Sequence, residues 1–195
     1  MSGGMRIVEN PVRPLAMHPK KFALWLFMIS IVMIFASLTS AYIVKRGDGN
    51  WRVFDLPDMF YYTSAVILFS SVIMVGAVRA ARRDQITRLI TLLWVALGTG
   101  LVFLAGQFLA WGDMIANNIY FTGGNPSESF IYVLTGLHWL HLISGIIFIS
   151  IILFNAYKFR IHAKAMVRLE MCSTYWHFLG GLWIYLFVFL LLNHQ

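Results

Sequence analysis

Residues 130–157 read FIYVLTGLHWLHLISGIIFISIILFNAY, from Phe130 to Tyr157, without a single Asp, Glu, Lys or Arg. A helix needs about 20 apolar residues to cross the hydrocarbon core of a bilayer. This stretch is long enough to span it. Four other stretches are equally free of charge: Phe22–Val44, Phe60–Val78, Leu89–Trp111 and Met171–Asn193. Backbone amides and carbonyls in lipid must be satisfied within the segment itself, so each stretch predicts a helix. The alternation expected of a membrane β-barrel is absent. The fold class that follows is all-α: an integral membrane bundle of five transmembrane helices over about 22–44, 60–78, 89–111, 130–157 and 171–193.

Composition agrees. Of the 195 residues, 59% are hydrophobic and 12% charged, which excludes an ordinary soluble domain. The net charge of +7 suggests nucleic acid, but its distribution does not. Twelve of the 15 Lys and Arg residues precede the first span, lie between the second and third, or lie between the fourth and fifth. Only Lys45, Arg46 and Arg52 lie in the alternate loops. This positive-inside pattern predicts a cytoplasmic N-terminus and a periplasmic C-terminus. It makes Arg79, Arg82, Arg83, Lys158 and Arg160 candidate contacts for lipid head groups. No nucleic-acid partner is predicted.

Residues 1–21, with Pro11, Pro14 and Pro19, read as an irregular cytoplasmic arm, and 22–195 as one transmembrane domain. The first span is longer than the core of a cleavable signal and lacks a cleavage motif, so it reads as a retained helix. Small residues that allow close helix approach are Ser37, Ala41, Gly98, Gly136, Gly145, Gly180 and Gly181. Tyr61, Tyr62, Trp111, Tyr132, Tyr157, Tyr175 and Trp176 suit interfacial belts. The single cysteine, Cys172, can form no internal disulfide and reads as a packed side chain.

The chemistry lies in a few polar residues inside the apolar stretches. Such residues are costly in hydrocarbon and usually have a partner or a role. His138 and His141 are three apart in the fourth span and share a face. His177 sits in Tyr175-Trp176-His177-Phe178 at the start of the fifth. Gln107 lies in the third, where an interhelical hydrogen bond is the ordinary reading. Glu170 stands seven residues before His177, within reach of a basic loop residue or a partner chain. The eight acids lie outside the spans, Glu128 in an external loop, so no carboxylate relay for protons is predicted. Antiparallel neighbours can bring His141 and His177 to similar depths, which leaves a bis-histidine haem open. A zinc site lacks a fourth ligand.

These residues resemble subunit III of the haem-copper oxidases. Glu170 with Tyr175-Trp176-His177-Phe178 and Trp183 is similar to that family's last helix. Thr135-Gly136-x-His138-x-x-His141-x-x-x-Gly145 is similar to the helix before it. Trp25-Leu26-Phe27 through Ala41-Tyr42, Ser70-Ser71, and Phe103 with Gln107 and Trp111 agree in order. The chain resembles the short bacterial form with five helices rather than seven. Three positions depart: Ile31, Ala110 and Gly180 stand where the family often carries acids, so no role of those acids is carried over.

The resemblance implies an accessory subunit of a proton-pumping terminal oxidase in the bacterial cytoplasmic (inner) membrane. That complex passes electrons from cytochrome c or quinol to oxygen. No haem, copper or catalytic residue is implied in this chain; haems and copper belong to partner subunits, and phospholipids are bound. The implied partners are the catalytic subunit I, other oxidase subunits and, in a larger assembly, a quinol–cytochrome c reductase. His138, His141, Glu170, Tyr175, Trp176, His177, Trp183 and Gln107 are the candidate inter-helix polar cluster for subunit or lipid contact. The alternatives are a small haem-b electron carrier using His141 and His177, and a lipid or solute transporter.

Overall fold

The computed structural model describes residues 19–47, 49, 56–122, 125–158 and 163–193. The N-terminal arm before Pro19, and with it His18, falls outside the described residues, as do Arg52, Arg160, His162 and His194. The described chain is all-helical: α1 (Pro19–Arg46), α2 (Met59–Arg82), α3 (Ile86–Ala116), α4 (Pro126–Tyr157) and α5 (Ala163–Asn193). All five are long and apolar enough to cross a membrane.

Every helix outruns its charge-free stretch, because charge limits burial in lipid but does not end a helix. α1 runs on to Lys45 and Arg46, and α2 to Arg79 and Arg82, where cations face the negative end of the helix dipole. α4 starts early for a capping reason. The Asn125 side chain accepts from the Ser127 amide at 3.1 Å and Pro126 occupies the first turn. That early start corrects one expectation. Glu128 is not in an external loop; it is in the first turn of α4 with 1% of its surface exposed.

α2, α3, α4 and α5 form a ring in which each helix touches the next and α5 closes back on α2. The pairing is antiparallel throughout. Ser64 meets Trp183 while Ser70 meets Trp176, so α5 retreats as α2 advances. Trp111 meets Thr135 while Trp139 reaches Leu104, which sets α4 against α3. α1 lies outside this ring and touches only α4 and α5. Its buried residues, Met28, Ile31, Phe35, Thr39 and Tyr42, recur at three and four and so form one stripe. Phe27 packs on Tyr175 and Thr39 on Tyr185, so α1 and α5 run parallel.

Close approach occurs where small residues meet large ones, at only some of the positions expected from sequence. A Cβ at Gly98 or Gly181 would meet nothing, and at Gly136 only a distant Trp111 atom. The tight points are Gly145 and two glycines that sequence did not single out, Gly100 and Gly106. Trp176 is not an interfacial anchor: it is 1% exposed and Tyr175 3%, both inside the bundle. Tyr61, Tyr62 and Tyr157 are exposed, as an outer belt requires. The difference is one of helix phase, which sequence position near a span end does not disclose.

Candidate functional site

Four consecutive side chains on a helix point about 100° apart, so Tyr175-Trp176-His177-Phe178 cannot face one place. Tyr175 turns toward α4, where its hydroxyl and Ser144 Oγ share a hydrogen bond of 2.7 Å. Trp176 turns into the ring and donates Nε1–H to Ser70 Oγ of α2 at 3.1 Å. Its indole lies in a slot between Gly100 and Gly145, where a Cβ would come within 2.8 and 3.3 Å of ring atoms. His177 Nδ1 is hydrogen-bonded to Ser71 Oγ, also on α2. Phe178 stacks on Tyr175.

Two turns on, Trp183 donates to Ser64 Oγ at 2.9 Å. Its ring meets Phe60 and Phe103 edge-on, with centroids 5.6 and 5.0 Å away. His138 is fully buried and leans on the same indole at 5.3 Å. Neither ring nitrogen of His138 has a hydrogen-bond partner among the described residues, so rings hold it rather than polar groups. Gln107, also fully buried, donates from Nε2 to Thr63 Oγ1 at 3.2 Å. Thr99 donates to Ser70 at 2.8 Å, so that hydroxyl oxygen receives both Thr99 and Trp176 and joins three helices.

His141 belongs elsewhere. Its Nδ1 is 2.7 Å from the Leu137 carbonyl, and its ring meets Phe35 of α1. A carbonyl only accepts, so Nδ1 carries the proton. His141 therefore faces α1 while His177 faces α2, and the two do not form a ligand pair. Among the described residues no group of three or more His, Cys, Asp or Glu side chains is placed to hold a metal ion.

Glu170 forms a third locality. One oxygen lies 3.1 Å from Lys21 Nζ of α1 and the other 3.3 Å from an Arg82 nitrogen of α2. These charges border a cleft of about 370 Å³ that Trp25, Ser173 and Thr174 also line. The eight residues singled out by sequence thus divide. Gln107, His138, Trp176 and Trp183 form a buried seam, with His177 at its edge. His141 faces α1, Tyr175 lies between α4 and α1, and Glu170 ties helix ends together. Of the basic residues, Lys158 lies 4.2 Å over the Phe154 ring and Arg82 pairs with Glu170. Arg79 and Arg83 line a separate cleft.

The acceptors Thr63 and Ser64, the donor Thr99 and the Ser144 hydroxyl were not singled out by sequence. A signal existed for α2: Thr63, Ser64, Ile67, Ser70 and Met74 recur at helical spacing and are all buried.

A protein-family model described as Cytochrome c oxidase subunit III matches residues 54–193. The chain is 30% identical over 184 residues to "Cytochrome c oxidase subunit 3" of Thermostichus vulcanus, covering 89% of this chain and 88% of that one. It is 28% identical over 183 residues to "Cytochrome bo(3) ubiquinol oxidase subunit 3" of Buchnera aphidicola subsp. Schizaphis graminum, covering 89% and 94%. A third relative, "Cytochrome bo(3) ubiquinol oxidase subunit 3" of Pseudomonas aeruginosa, is 26% identical, with 85% and 81% covered.

Proposed function

This chain belongs to the cytochrome c oxidase subunit III family, and on that premise we propose that it is the non-catalytic third subunit of a proton-pumping terminal oxidase. In this reading it braces the catalytic subunit, organises phospholipid and supports proton uptake, with its N-terminus cytoplasmic and its C-terminus periplasmic in the inner membrane. Haems and copper reside in partner subunits.

The observation that carries the non-catalytic reading is the separation of the three intramembrane histidines. His138 is held by Phe103 and Trp183, His141 by Leu137 and Phe35, and His177 by Ser71. Each serves a different interface, whereas a bis-histidine haem needs two ligands aimed at one iron. The bracing role is supported by Trp25, Met33, Phe69, Leu109 and similar large apolar side chains that cover the outside of the bundle. Lipid and other subunits are what such a surface meets in a membrane. The supporting role in proton uptake rests on family membership alone. The donor follows from the complex: the relatives are named for cytochrome c and for ubiquinol alike.

The test is purification of the complex followed by release of this chain. The visible spectrum of the isolated polypeptide should be featureless in the Soret region, with haem remaining on the other chains. A Soret band that travels with this polypeptide would overturn the reading. His177→Ala should leave haem content intact and loosen retention of this chain in the complex.

A further inference from the structure

Four arginines surround the turn between α2 and α3, and the structure separates them. Arg82 points toward α5 and pairs with Glu170. Arg79, Arg83 and Arg88 instead line one cleft of about 250 Å³ at the α2–α3 turn, together with Gly76, Ala80 and Gln85. None of these three guanidinium groups has a carboxylate partner among the described residues. All three are exposed.

The positive-inside pattern accounts for basic residues in this turn. It does not account for their convergence. Like charges around one cleft repel, and side chains this long are free to spread into water. Three arginine side chains lining one hollow suit an anion with several acceptor oxygens, because the planar fork of a guanidinium matches phosphate geometry. The free amides in the first turn of α3 add to the same positive field.

The flanks above the cleft suit acyl chains. Val72 lies four and seven residues before Gly76 and Arg79, so it shares their face of α2. Val95 lies seven residues after Arg88, on the same face of α3. Val72 is 68% exposed and Val95 41%. A phosphate at the cleft therefore has an apolar track on each side leading into the membrane. Gly76, in the cleft lining, packs on Leu92 of α3, where a Cβ on Gly76 would lie 3.5 Å from a Leu92 methyl.

We propose that the cleft formed by Arg79, Arg83 and Arg88 holds the phosphate of an anionic membrane phospholipid, whose acyl chains lie along Val72 and Val95. The proposal rests on the lipid-organising role given above and assigns it a place. The test is native mass spectrometry of the intact complex, with lipids identified after release. Arg79→Gln/Arg88→Gln should lose about one phospholipid per complex, while Arg82→Gln, which breaks only the Glu170 pair, should keep it. Arg79→Lys/Arg88→Lys retains the charges that topology needs. It should hold the lipid less firmly than wild type as salt rises, because a lysine cannot bind phosphate in bidentate fashion.

Unchanged lipid content in both double variants would overturn the site while leaving the broader lipid role standing. A wild-type complex without phospholipid would overturn both. Free inorganic phosphate as the only anion released would overturn the lipid assignment.

Discussion

A methyl group on Gly100 would come 2.8 Å from Cη2 of Trp176, and one on Gly106 would come 2.5 Å from Cγ2 of Thr63. Neither neighbour yields easily. Trp176 is a rigid ring held by its bond to Ser70, and Thr63 is β-branched and held by Gln107. Overpacking of this kind costs about 1–3 kcal/mol. Gly106→Ala should therefore lower the thermal stability of this chain in the complex, whereas Gly181→Ala, which meets nothing, should be neutral. Equal effects at the two positions would contradict the packing described. The indoles give a second test. Trp94, Trp111, Trp139, Trp176 and Trp183 each donate Nε1–H to a residue of another helix. Trp183→Phe keeps most of the ring contact with Phe60 and Phe103 but removes the bond to Ser64. Interhelical hydrogen bonds in membranes are worth about 0.6 kcal/mol on average and up to about 2, so a loss in that range is expected in chemical unfolding. His138→Leu should behave differently. A buried imidazole held only by rings contributes no hydrogen bond, and an apolar replacement removes a polar group from the core at little cost. A large destabilisation in unfolding measurements would show a polar partner for His138.

Two helix ends share one device. After α3, the Ile119 amide bonds to the Met114 carbonyl and the Asn118 amide to Ile115, both at 3.0 Å, with Asn118 at φ 59°. After α2, Gln85 bonds to Ala80 and Asp84 to Ala81, with Asp84 at φ 53°. Both are Schellman caps, which satisfy carbonyls that the helix leaves open. The first also buries Ile119 against Met114 at the C″ and C3 positions. Asn and Asp tolerate the left-handed region, but a β-branched residue does not. Asn118→Val should cost about 1–2 kcal/mol and Asn118→Gly should be neutral, as read from thermal unfolding of the complex. At this scale the sequence was informative about existence and poor about detail. All five helices were legible in the charge-free stretches, because lipid forbids charge and demands internal hydrogen bonding. Their ends were not, since α4 begins at a cap by Asn125 rather than at the edge of its apolar run, and this buried Glu128. The division of the candidate site was hidden for a related reason. Which of Tyr175, Trp176 and His177 faces inward depends on how α5 is rotated against α2 and α4. That rotation is decided by the slot between Gly100 and Gly145, two glycines 45 positions apart that no local pattern links.

At the scale of the whole molecule the bundle has a ring and an appendage. α2 to α5 close on one another, and the seam of indoles and hydroxyls runs within that ring. α1 touches α4 and α5 but not α2, and it is the least buried of the five helices. Where its first turns pass α2, the contact is electrostatic. Lys21 and Arg82 meet only through Glu170 on α5, beside an open cleft. Further along, α1 is fastened by Phe35 against His141, Thr39 against Tyr185, and Tyr42 edge-on to Phe130 and Phe189. Glu170 thus fastens the first turns of α1, with Phe27 against Tyr175 just beyond. The carboxylate and Lys21 are about one-third exposed, so the pair is weak by the standard of buried ions. Glu170→Gln removes the charge and keeps the shape. Amide exchange over 19–27 should then quicken by roughly 2–5-fold, the range that a partly exposed pair of 0.5–1 kcal/mol allows. Exchange in α3, in α4 and in α2 before its last turn, which carries Arg82, should not change, because their seam does not pass through Glu170. Hydrogen-exchange mass spectrometry on the intact complex resolves the two regions. Acceleration spread evenly over all five helices would mean that Glu170 supports the ring itself, and that α1 is part of the core rather than a strut laid against it.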